Sequence, residues 1–460
     1  ELMSTALMYF AKALQDGADY AVCNAVFGFG GATALYQSQP LQAQNRCAVV
    51  SRTLLERCRA AAHDPENVPE LLALAAQLCT KPALIPQALL HYERGICAED
   101  AFSAHGKRAF IMSHVLDMTG APIVLVSAVP VLRSMGYEVL VLGPSDGGSL
   151  HLFLDAGASV ITRSSCRNVS DAWGMALCAD FVIVNTVVMA RAVRALSGTA
   201  VPVLWWLHDA FAGYPHIAHQ IPTQLGENVR VYSVGSHAAN AMRAVRPEFE
   251  IRPLIYGLPD YAAENFVRTD LGYNRGRPLF ATVGSFERRK GHDIFCKAIR
   301  LLPPEVRKKA SFLFVGQAAD KEMMDSVRTL TADYPENVFY CKRLTRDEIK
   351  SLMEQCTGLV CASRDDPMPT FVTEGLIFGK PSIVSEHTGT AGLISEGRNG
   401  FVYHDDDPQQ LAVLLEHAIK HPEELASMRT ECRKMYEQYY SKEAFEQTLR
   451  AAVEDLTAKK

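Results

Sequence analysis

Short apolar runs alternate with amphipathic stretches along the chain from Arg108 onward. The runs rich in β-branched and aromatic residues, which predict strands, include FIMSH, YEVLVLG, SVITR, DFVIVNT and PVLWWLHD. Helical patterns lie between them, such as residues 122–135, which end at Gly136 and contain Pro130, where we expect a kink. Strands that alternate with helices are typical of a parallel sheet with crossover connections.

The alternation of strand and helix patterns stops between Ile251 and Pro278, in a segment rich in Gly, Pro and Tyr. We expect a domain boundary there. A second alternating block follows, with strands predicted at LFATVG, SFLFVG and VFYC and a helix over residues 292–302. Thr345 and Glu348 have the spacing of a capping box, which predicts a further helix. The sequence therefore predicts an α/β fold with two tandem doubly wound, Rossmann-like domains and a ligand cleft between them.

The two predicted domains cover residues 106–260 and 261–435. Residues 436–460 predict a C-terminal helix, and packing of this helix back on the first domain stays open. Residues 1–105 lack the alternating rhythm and predict a helical or mixed α/β appendage, with a helix at VPELLALAAQLCT. The first residue is Glu1 rather than Met, which leaves open that the chain is a piece of a longer product.

The composition argues against several classes of protein. Of 460 residues, 48% are apolar and 21% are charged, which is the balance of a folded soluble protein. A formal net charge of -5 argues against binding nucleic acid by neutralising many phosphates. The 12 cysteines include no CxxC pair, so we expect reduced thiols and a cytoplasmic protein. The apolar run at residues 121–132 is too short to span a bilayer, while peripheral association with the inner face of the membrane stays open.

A loop and a short helix at residues 363–385 carry the densest candidate chemistry. Two prolines in RDDPMP restrict the loop, and Thr370 is predicted as the N-cap of a helix that runs to about Phe378 and is stopped by Gly379. The start of this helix would lie at the carboxyl edge of a sheet, where free N–H groups can bind an anion such as a diphosphate. The N–H groups predicted to face this anion are those of Phe371, Val372 and Thr373.

Two carboxylates would flank the bound anion. Asp366 precedes the helix, and Glu374 is predicted to lie in its first turn. Carboxylates do not bind phosphate, so we expect them to accept hydrogen bonds from hydroxyl groups, a sugar on one side and a ribose on the other.

Asp366 and Glu374, with seven residues between them, are followed by GLIFGKPSIVS and GLISEGRNGFVY. This pattern resembles the acidic signature of the retaining glycosyltransferases of family 4 (group 1), which have the GT-B fold, and the resemblance extends from Lys107 to about Leu456. It implies an enzyme that transfers a sugar from a nucleotide diphosphate sugar to a hydroxyl acceptor. It also implies that Asp366 contacts the transferred sugar and that Glu374 contacts the ribose. The family more often has Glu at the first position, so the resemblance leaves the donor sugar open.

The segment VGSFERRKG resembles the phosphate-binding strand and loop of this family. Its first glycine is Gly284, and Lys290 occupies the position of the family's lysine. Ser285 stands where the family usually has Arg, so the resemblance implies that Arg288 or Arg289 supplies the second positive charge.

Two motifs of the first predicted domain complete the resemblance. SHVLDMTGAP resembles a glycine-bearing loop in which Gly120 would let the backbone approach the donor phosphate or the acceptor. WWLHDA resembles a strand-end motif, which nominates His208 as the group that touches the reacting sugar and Asp209 as the group that orients it. The predicted catalytic residues are therefore His208, Asp366 and Lys290.

The motif HDDDP at residues 404–408 has a composition that suits a metal ion. Asp407 as an N-cap, with Pro408 at the first helical position, explains it better. We therefore expect no metal and no cofactor, with the nucleotide diphosphate sugar as substrate.

Two other functions stay open at this point. A catalytically silent sugar-nucleotide-binding or scaffolding subunit would be consistent with Ser285 and with Asp in place of Glu at position 366, and a sugar-nucleotide epimerase can use the same architecture. The expected acceptor is a glycan, lipid-linked or protein hydroxyl group, as in cell-surface polysaccharide biosynthesis, and the oligomeric state is open.

The segment KPALIPQALLHYER resembles the closing part of a GT-A sugar transferase domain, without its nucleotide-binding front half.

Overall fold

The alternating pattern forms open sheets of parallel strands. The computed structural model of the protein describes residues 20–27, 33–36, 48–62, 74–75, 77–80, 82–92, 106–163, 166 and 171–458. Within these ranges no helix is long and apolar enough to cross a membrane.

A small sheet forms from the first 105 residues. Its strands are β1 (Tyr20–Phe27), β3 (Ala48–Val50) and β4 (Pro82–Tyr92), in the order β3-β1-β4. β1 pairs antiparallel with β3 and parallel with β4, which lies within the segment likened to a GT-A domain. Most of the predicted helix VPELLALAAQLCT lies outside the described residues. The GT-A relationship stays a prediction.

The first large sheet has eight strands. They are β2 (Thr33–Tyr36), β5 (Lys107–Met112), β6 (Tyr137–Gly143), β7 (Ser159–Arg163), β8 (Phe181–Asn185), β9 (Val203–Leu207), β10 (Val229–Ser233) and β11 (Ile251–Pro253). Their order is β11-β10-β9-β8-β5-β6-β7-β2, with β2 antiparallel to β7 and β5 parallel to both β6 and β8. Strands β8 and β9 are buried along their whole length, as expected for parallel strands covered on both faces.

The second large sheet has six strands, and all its pairings are parallel. They are β12 (Leu279–Val283), β13 (Ser311–Val315), β14 (Val338–Cys341), β15 (Gly358–Cys361), β16 (Ser382–Ser385) and β17 (Gly400–Tyr403). Their order is β14-β13-β12-β15-β16-β17. The second large sheet and the first large sheet apart from its edge strand β2 are built from parallel strands, which confirms the predicted α/β, doubly wound fold class.

Helices connect the strands. Those up to residue 205 are α1 (Arg52–Ala61), α2 (Gly120–Ser134), α3 (Leu150–Asp155), α4 (Asp171–Gly174) and α5 (Ala190–Leu196). The later ones are α6 (Tyr214–Ile217), α7 (Ser236–Arg243), α8 (His292–Leu301), α9 (Pro304–Arg307), α10 (Lys321–Asp333), α11 (Arg346–Gln355), α12 (Thr370–Ile377), α13 (Pro408–Lys420), α14 (Pro422–Ser427), α15 (Arg429–Met435) and α16 (Lys442–Thr457).

Several predicted helix ends are confirmed. Thr345 and Glu348 form the capping box at the start of α11, because each side chain accepts from the backbone N–H of the other. Asp407 caps α13 by accepting from the Gln409 N–H, and Pro408 follows as the first helical residue. Gly379 has φ +70° just after α12, which is the left-handed conformation that ends helices.

The chain divides into two compact units. Unit 1 contains the described residues up to Trp205, His219–Arg230 and the chain from Arg450, and unit 2 contains Trp206–Ala218 and Val231–Leu449. Two of the divisions fall inside β9 and β10, one in the 3-10 turn Ala218–Gln220 and one inside α16. The domain spans predicted from the sequence remain predictions.

Candidate active site

The loops after β12, β15 and β16 lie at one edge of the second large sheet, because parallel strands end on the same side. Gly284, directly after β12, donates its N–H to the Val315 carbonyl at the end of β13. The chain order reverses between β12 and β15, and such a reversal opens the crevice where open α/β sheets bind ligands. Lys290 follows β12 and Asp366 follows β15, so a predicted site residue lies on each side of this point.

A tight backbone approach brings these two residues together. Lys290 ends the 3-10 turn Arg288–Lys290, and Gly291 follows with φ +65°. A Cβ at Gly291 would lie 1.8 Å from the Ala362 carbonyl oxygen, so only glycine lets this turn pack against the loop after β15. The Lys290 Nζ then lies 2.6 Å from Asp366 Oδ2, and the two side chains are 19% and 5% exposed. Lys290 and Asp366, two of the three predicted catalytic residues, therefore form one mostly buried ion pair.

Asp366 is also held through its backbone. Its N–H donates to the His387 carbonyl at 3.1 Å, and its carbonyl accepts from the Gly389 N–H at 2.9 Å. Its Oδ1 accepts from the Met368 N–H at 3.3 Å. A Cβ at Gly389 would lie 1.7 Å from the Pro367 carbonyl oxygen, so glycine is needed for the loops after β15 and β16 to approach this closely. The carboxylate therefore has little conformational freedom.

The prediction that Thr370 caps the following helix is wrong. Pro369 is the N-cap, and Thr370 is the first helical residue, with no capping hydrogen bond from a side chain. The N–H groups of Val372 and Thr373 donate to the Pro369 carbonyl at 3.1 and 3.4 Å, so they are not free to bind an anion as predicted. Because the helix starts one residue early, the N–H groups ahead of its first internal hydrogen bond are those of Thr370 and Phe371.

Glu374 lies just beyond the first turn of α12 rather than within it, which corrects the prediction. Its Oε1 accepts from Arg346 Nη1 at 2.6 Å, and the Arg346 guanidinium lies 4.2 Å from the centre of the Tyr261 ring. Burial raises the pKa of Glu374, and the positive charge of Arg346 opposes that rise. Arg346 was not predicted as a site residue, because its spacing after the Thr345 cap indicates the helix start but not a partner 28 residues away.

The predicted phosphate-binding turn has an acid of its own. The Ser285 hydroxyl donates to Glu287 Oε1, and Arg289 Nε donates to Glu287 Oε2 at 2.9 Å. Burial raises the pKa of Glu287, but these hydrogen bonds and the charge of Arg289 outweigh burial and hold the pKa below its ordinary value. Arg288 exposes its side chain, and its carbonyl accepts from Arg364 Nη1 at 2.9 Å. Which of the two arginines meets a phosphate remains a prediction.

Two further residues of the loop after β15 were missed. Arg364 forms two parallel hydrogen bonds of 2.8 Å with Asp293, in the first turn of α8. Asp365 accepts from His237 Nε2 at 2.7 Å. The run RDD was visible in the sequence, but nothing local distinguishes a charged loop residue that faces solvent from one that is buried against a distant segment.

The remaining predicted residues lie elsewhere. His208 directly follows β9 in unit 2 and is half-buried, with its ring centre 4.7 Å from that of Trp206. Gly120 is the first residue of α2 in unit 1, and a Cβ there would meet no described atom within 4 Å. The protein itself therefore has room for a side chain at Gly120, and a ligand contact at this residue remains a prediction.

The part of the chain that the structure describes contains no group of three or more His, Cys, Asp or Glu side chains arranged to hold a metal ion. The HDDDP segment serves as a helix start at Asp407. That the reaction needs no metal and no cofactor remains a prediction.

Comparison with known proteins identifies the family. A model described as "Glycosyl-transferase family 4" matches residues 105–245, and one described as "Glycosyl transferases group 1" matches residues 264–435. The chain belongs to the family 4, group 1 glycosyltransferases. Lys290, Asp366 and Glu374 all fall within the group 1 match.

Curated relatives are similar to parts of the chain, and a solved structure shares its fold. The chain is 27% identical over 157 residues to spore coat protein SA of Bacillus subtilis, covering 33% of this chain and 41% of the relative. It is 26% identical over 197 residues to an uncharacterized glycosyltransferase of Methanocaldococcus jannaschii, covering 42% of this chain and 53% of the relative. The matches thus span about half or less of these relatives' lengths. HepE of Anabaena, solved with UDP, superposes with a TM-score of 0.60 at 18% identity, over 76% of this chain and 100% of HepE.

Proposed function

We propose that this protein is a retaining glycosyltransferase that moves a sugar from a nucleotide diphosphate sugar to a hydroxyl group of a glycan, lipid-linked or protein acceptor. The observation that carries the proposal is the ion pair of Lys290 with Asp366, in the same unit as buried Glu374 and at the reversal point of the second large sheet. A cation can bind the negative diphosphate of a nucleotide sugar, and the acids beside it can accept hydrogen bonds from the hydroxyl groups on either side of that diphosphate.

Breaking the sugar–phosphate bond leaves negative charge on the departing diphosphate. In the proposed reaction Lys290 stabilises this charge, with Arg288 or Arg289 as a second cation. The N–H groups of Thr370 and Phe371, at the positive end of α12, add a third contribution. No metal ion is needed in this scheme, so chelation with EDTA should leave turnover unchanged.

The acids and His208 would hold the hydroxyl-bearing groups. Asp366 accepts from hydroxyls of the transferred sugar, and Glu374 accepts from the ribose. His208 touches the reacting sugar, and Asp209 orients it. The acceptor attacks the face that the phosphate leaves, and the departing phosphate takes the acceptor's proton, so the scheme assigns no protein base. Family membership supports a place in glycan or cell-surface polysaccharide biosynthesis.

A donor screen followed by product analysis tests the proposal. HepE has been crystallised with UDP and with UDP-glucose, so UDP-sugars are the first donors to try, with ligand-induced thermal shift as the readout. For a donor that binds, we expect release of free nucleotide coupled to a glycoside whose anomeric configuration, read by NMR, matches that of the donor. Glu374→Ala should abolish this transfer and leave the fold intact. Binding without turnover would favour a silent subunit instead, and an isomerised sugar nucleotide would favour an epimerase.

A further inference from the structure

The Asp365 carboxylate receives three hydrogen bonds from two other segments of unit 2. Its Oδ1 accepts from the Phe211 N–H at 3.1 Å and from His237 Nε2 at 2.7 Å, and its Oδ2 accepts from the Ala212 N–H at 2.8 Å. Its side chain is 12% exposed and that of His237 is 6% exposed. Asp365 directly precedes Asp366, so this contact reaches the proposed sugar-binding loop.

The two backbone donors begin a short 3-10 turn, Phe211–Gly213, that leads into α6. The N-cap of this turn is Ala210, which has no side chain able to accept a hydrogen bond. Asp365 therefore does from a distance what a capping side chain does locally, because its carboxylate accepts from the first two N–H groups of the turn. The turn begins three residues after His208.

We infer that Asp365 is a positioning residue, which sets the place of the His208 segment relative to the loop that carries Asp366. The inference rests on the proposed transfer reaction. The loop at Asp366 is already fixed, because both the N–H and the carbonyl of Asp366 form hydrogen bonds with the loop after β16. The segment that follows His208 consists of short turns. The Asp365 carboxylate joins this segment to the loop that carries Asp366.

His237 completes the contact. It lies in the first turn of α7, and its ring packs against that of Phe211 with centres 5.0 Å apart. Since an ionised carboxylate only accepts hydrogen bonds, His237 Nε2 carries the proton and donates it. Taking a carboxylate out of water is costly unless its partners are well placed, and an apolar residue often replaces such a group without loss of stability. A role in precise placement accounts for an acid here better than stability alone does.

Asp365→Asn tests the inference. An amide keeps the size of the carboxylate but presents an NH₂ group to either the Phe211 or the Ala212 N–H, so one of these donors loses its acceptor. With UDP-glucose or the best donor of the screen, we expect kcat for transfer to fall about 10- to 100-fold, because small displacements of reacting groups have effects of this size. The Kd for UDP should stay within about twofold, and donor hydrolysis should rise relative to transfer.

Asp320 offers a matched control, since it also accepts from two backbone N–H groups, those of Glu322 and Met323, at the start of α10. Asp320→Asn should leave kcat unchanged. His237→Gln, which keeps an N–H donor near the Nε2 position, should restore most of the activity that His237→Ala loses.

The outcomes separate the two proposals. If the wild-type protein turns over a donor but Asp365→Asn keeps full kcat, or loses only UDP affinity, the positioning role is wrong and the proposed function stands. If the wild-type protein turns over no donor, the proposed function fails, and the positioning role fails with it.

Discussion

The carboxyl edges of the two large sheets differ in the charged groups that they bury. In unit 2 the loops after β12 and β15 bury ionisable groups in pairs, such as Lys290 with Asp366 at 2.6 Å. In unit 1 Ser113 follows β5, Asn185 ends β8 and Thr186 follows it; these residues are 0%, 0% and 2% exposed and carry no charge. Thr186 also has φ +66°, an uncommon conformation for a β-branched residue.

The buried charges of unit 2 bear on what its edge can bind. A buried charge is tolerated only with a partner, and unit 2 pairs its cation and acids accordingly. A diphosphate sugar could exchange contacts with such a network, because it brings both negative charge and hydroxyl groups.

Removing the central cation should have the largest effect. Lys290→Ala should lower kcat/KM for the donor about 10³-fold, because the charge that develops on the diphosphate loses its main partner. Steady-state kinetics and UDP calorimetry measure this. Lys297→Ala is the control, since Lys297 is an exposed lysine of the same unit that pairs with Asp293 at 3.4 Å. A Lys290→Ala enzyme with most of its activity would contradict the assignment of the cation site.

Placing a charge in the neutral edge should have the next largest effect. Asn185→Asp should destabilise the protein by about 3 kcal/mol at neutral pH, because the new carboxylate is fully buried. At low pH the added carboxyl group is protonated and resembles the amide, so the loss of stability should grow as the pH rises. Thermal unfolding at pH 5 and pH 8 measures this difference. Asn240→Asp, on the exposed side of α7, should change the stability little. Equal losses of stability at both positions would mean that burial of the new carboxylate at Asn185 does not cause the effect.

Removing the partner of Glu374 should have a smaller, pH-dependent effect. Burial already raises the pKa of Glu374 and Arg346 opposes it, so Arg346→Met should raise the pKa further. Since the proposed reaction needs the ionised acid, the acid limb of the kcat/KM profile should move to higher pH, and the rate at a fixed pH on that limb should fall about tenfold for each pH unit that the limb moves. Arg346→Lys keeps a positive charge and should move the limb less. An unchanged pH profile of kcat/KM in Arg346→Met would mean that the rate does not depend on the ionisation of Glu374.

Much of the fold was predictable because it depends on local patterns. Strands such as YEVLVLG and SVITR match β6 and β7 residue for residue, since continuous apolar runs favour buried parallel strands. The capping box at Thr345 was predictable for the same reason, because both partners lie within one turn. Thr370 was predicted wrongly because threonine is a common N-cap, whereas here the carbonyl of Pro369 accepts the first helical hydrogen bonds.

The sequence alone determined the α/β class, the strand segments of β5 to β9 and β12 to β14, and the motifs that nominated Lys290, Asp366 and Glu374. Only the tertiary structure decided the partners of these groups: Lys290 with Asp366, Arg346 with Glu374, and Asp365 with the turn at Phe211. The reason is distance along the chain. Periodicity and capping arise from residues within a few positions of one another, whereas an ion pair across 76 residues depends on how strands order in a sheet and how closely glycines let loops approach.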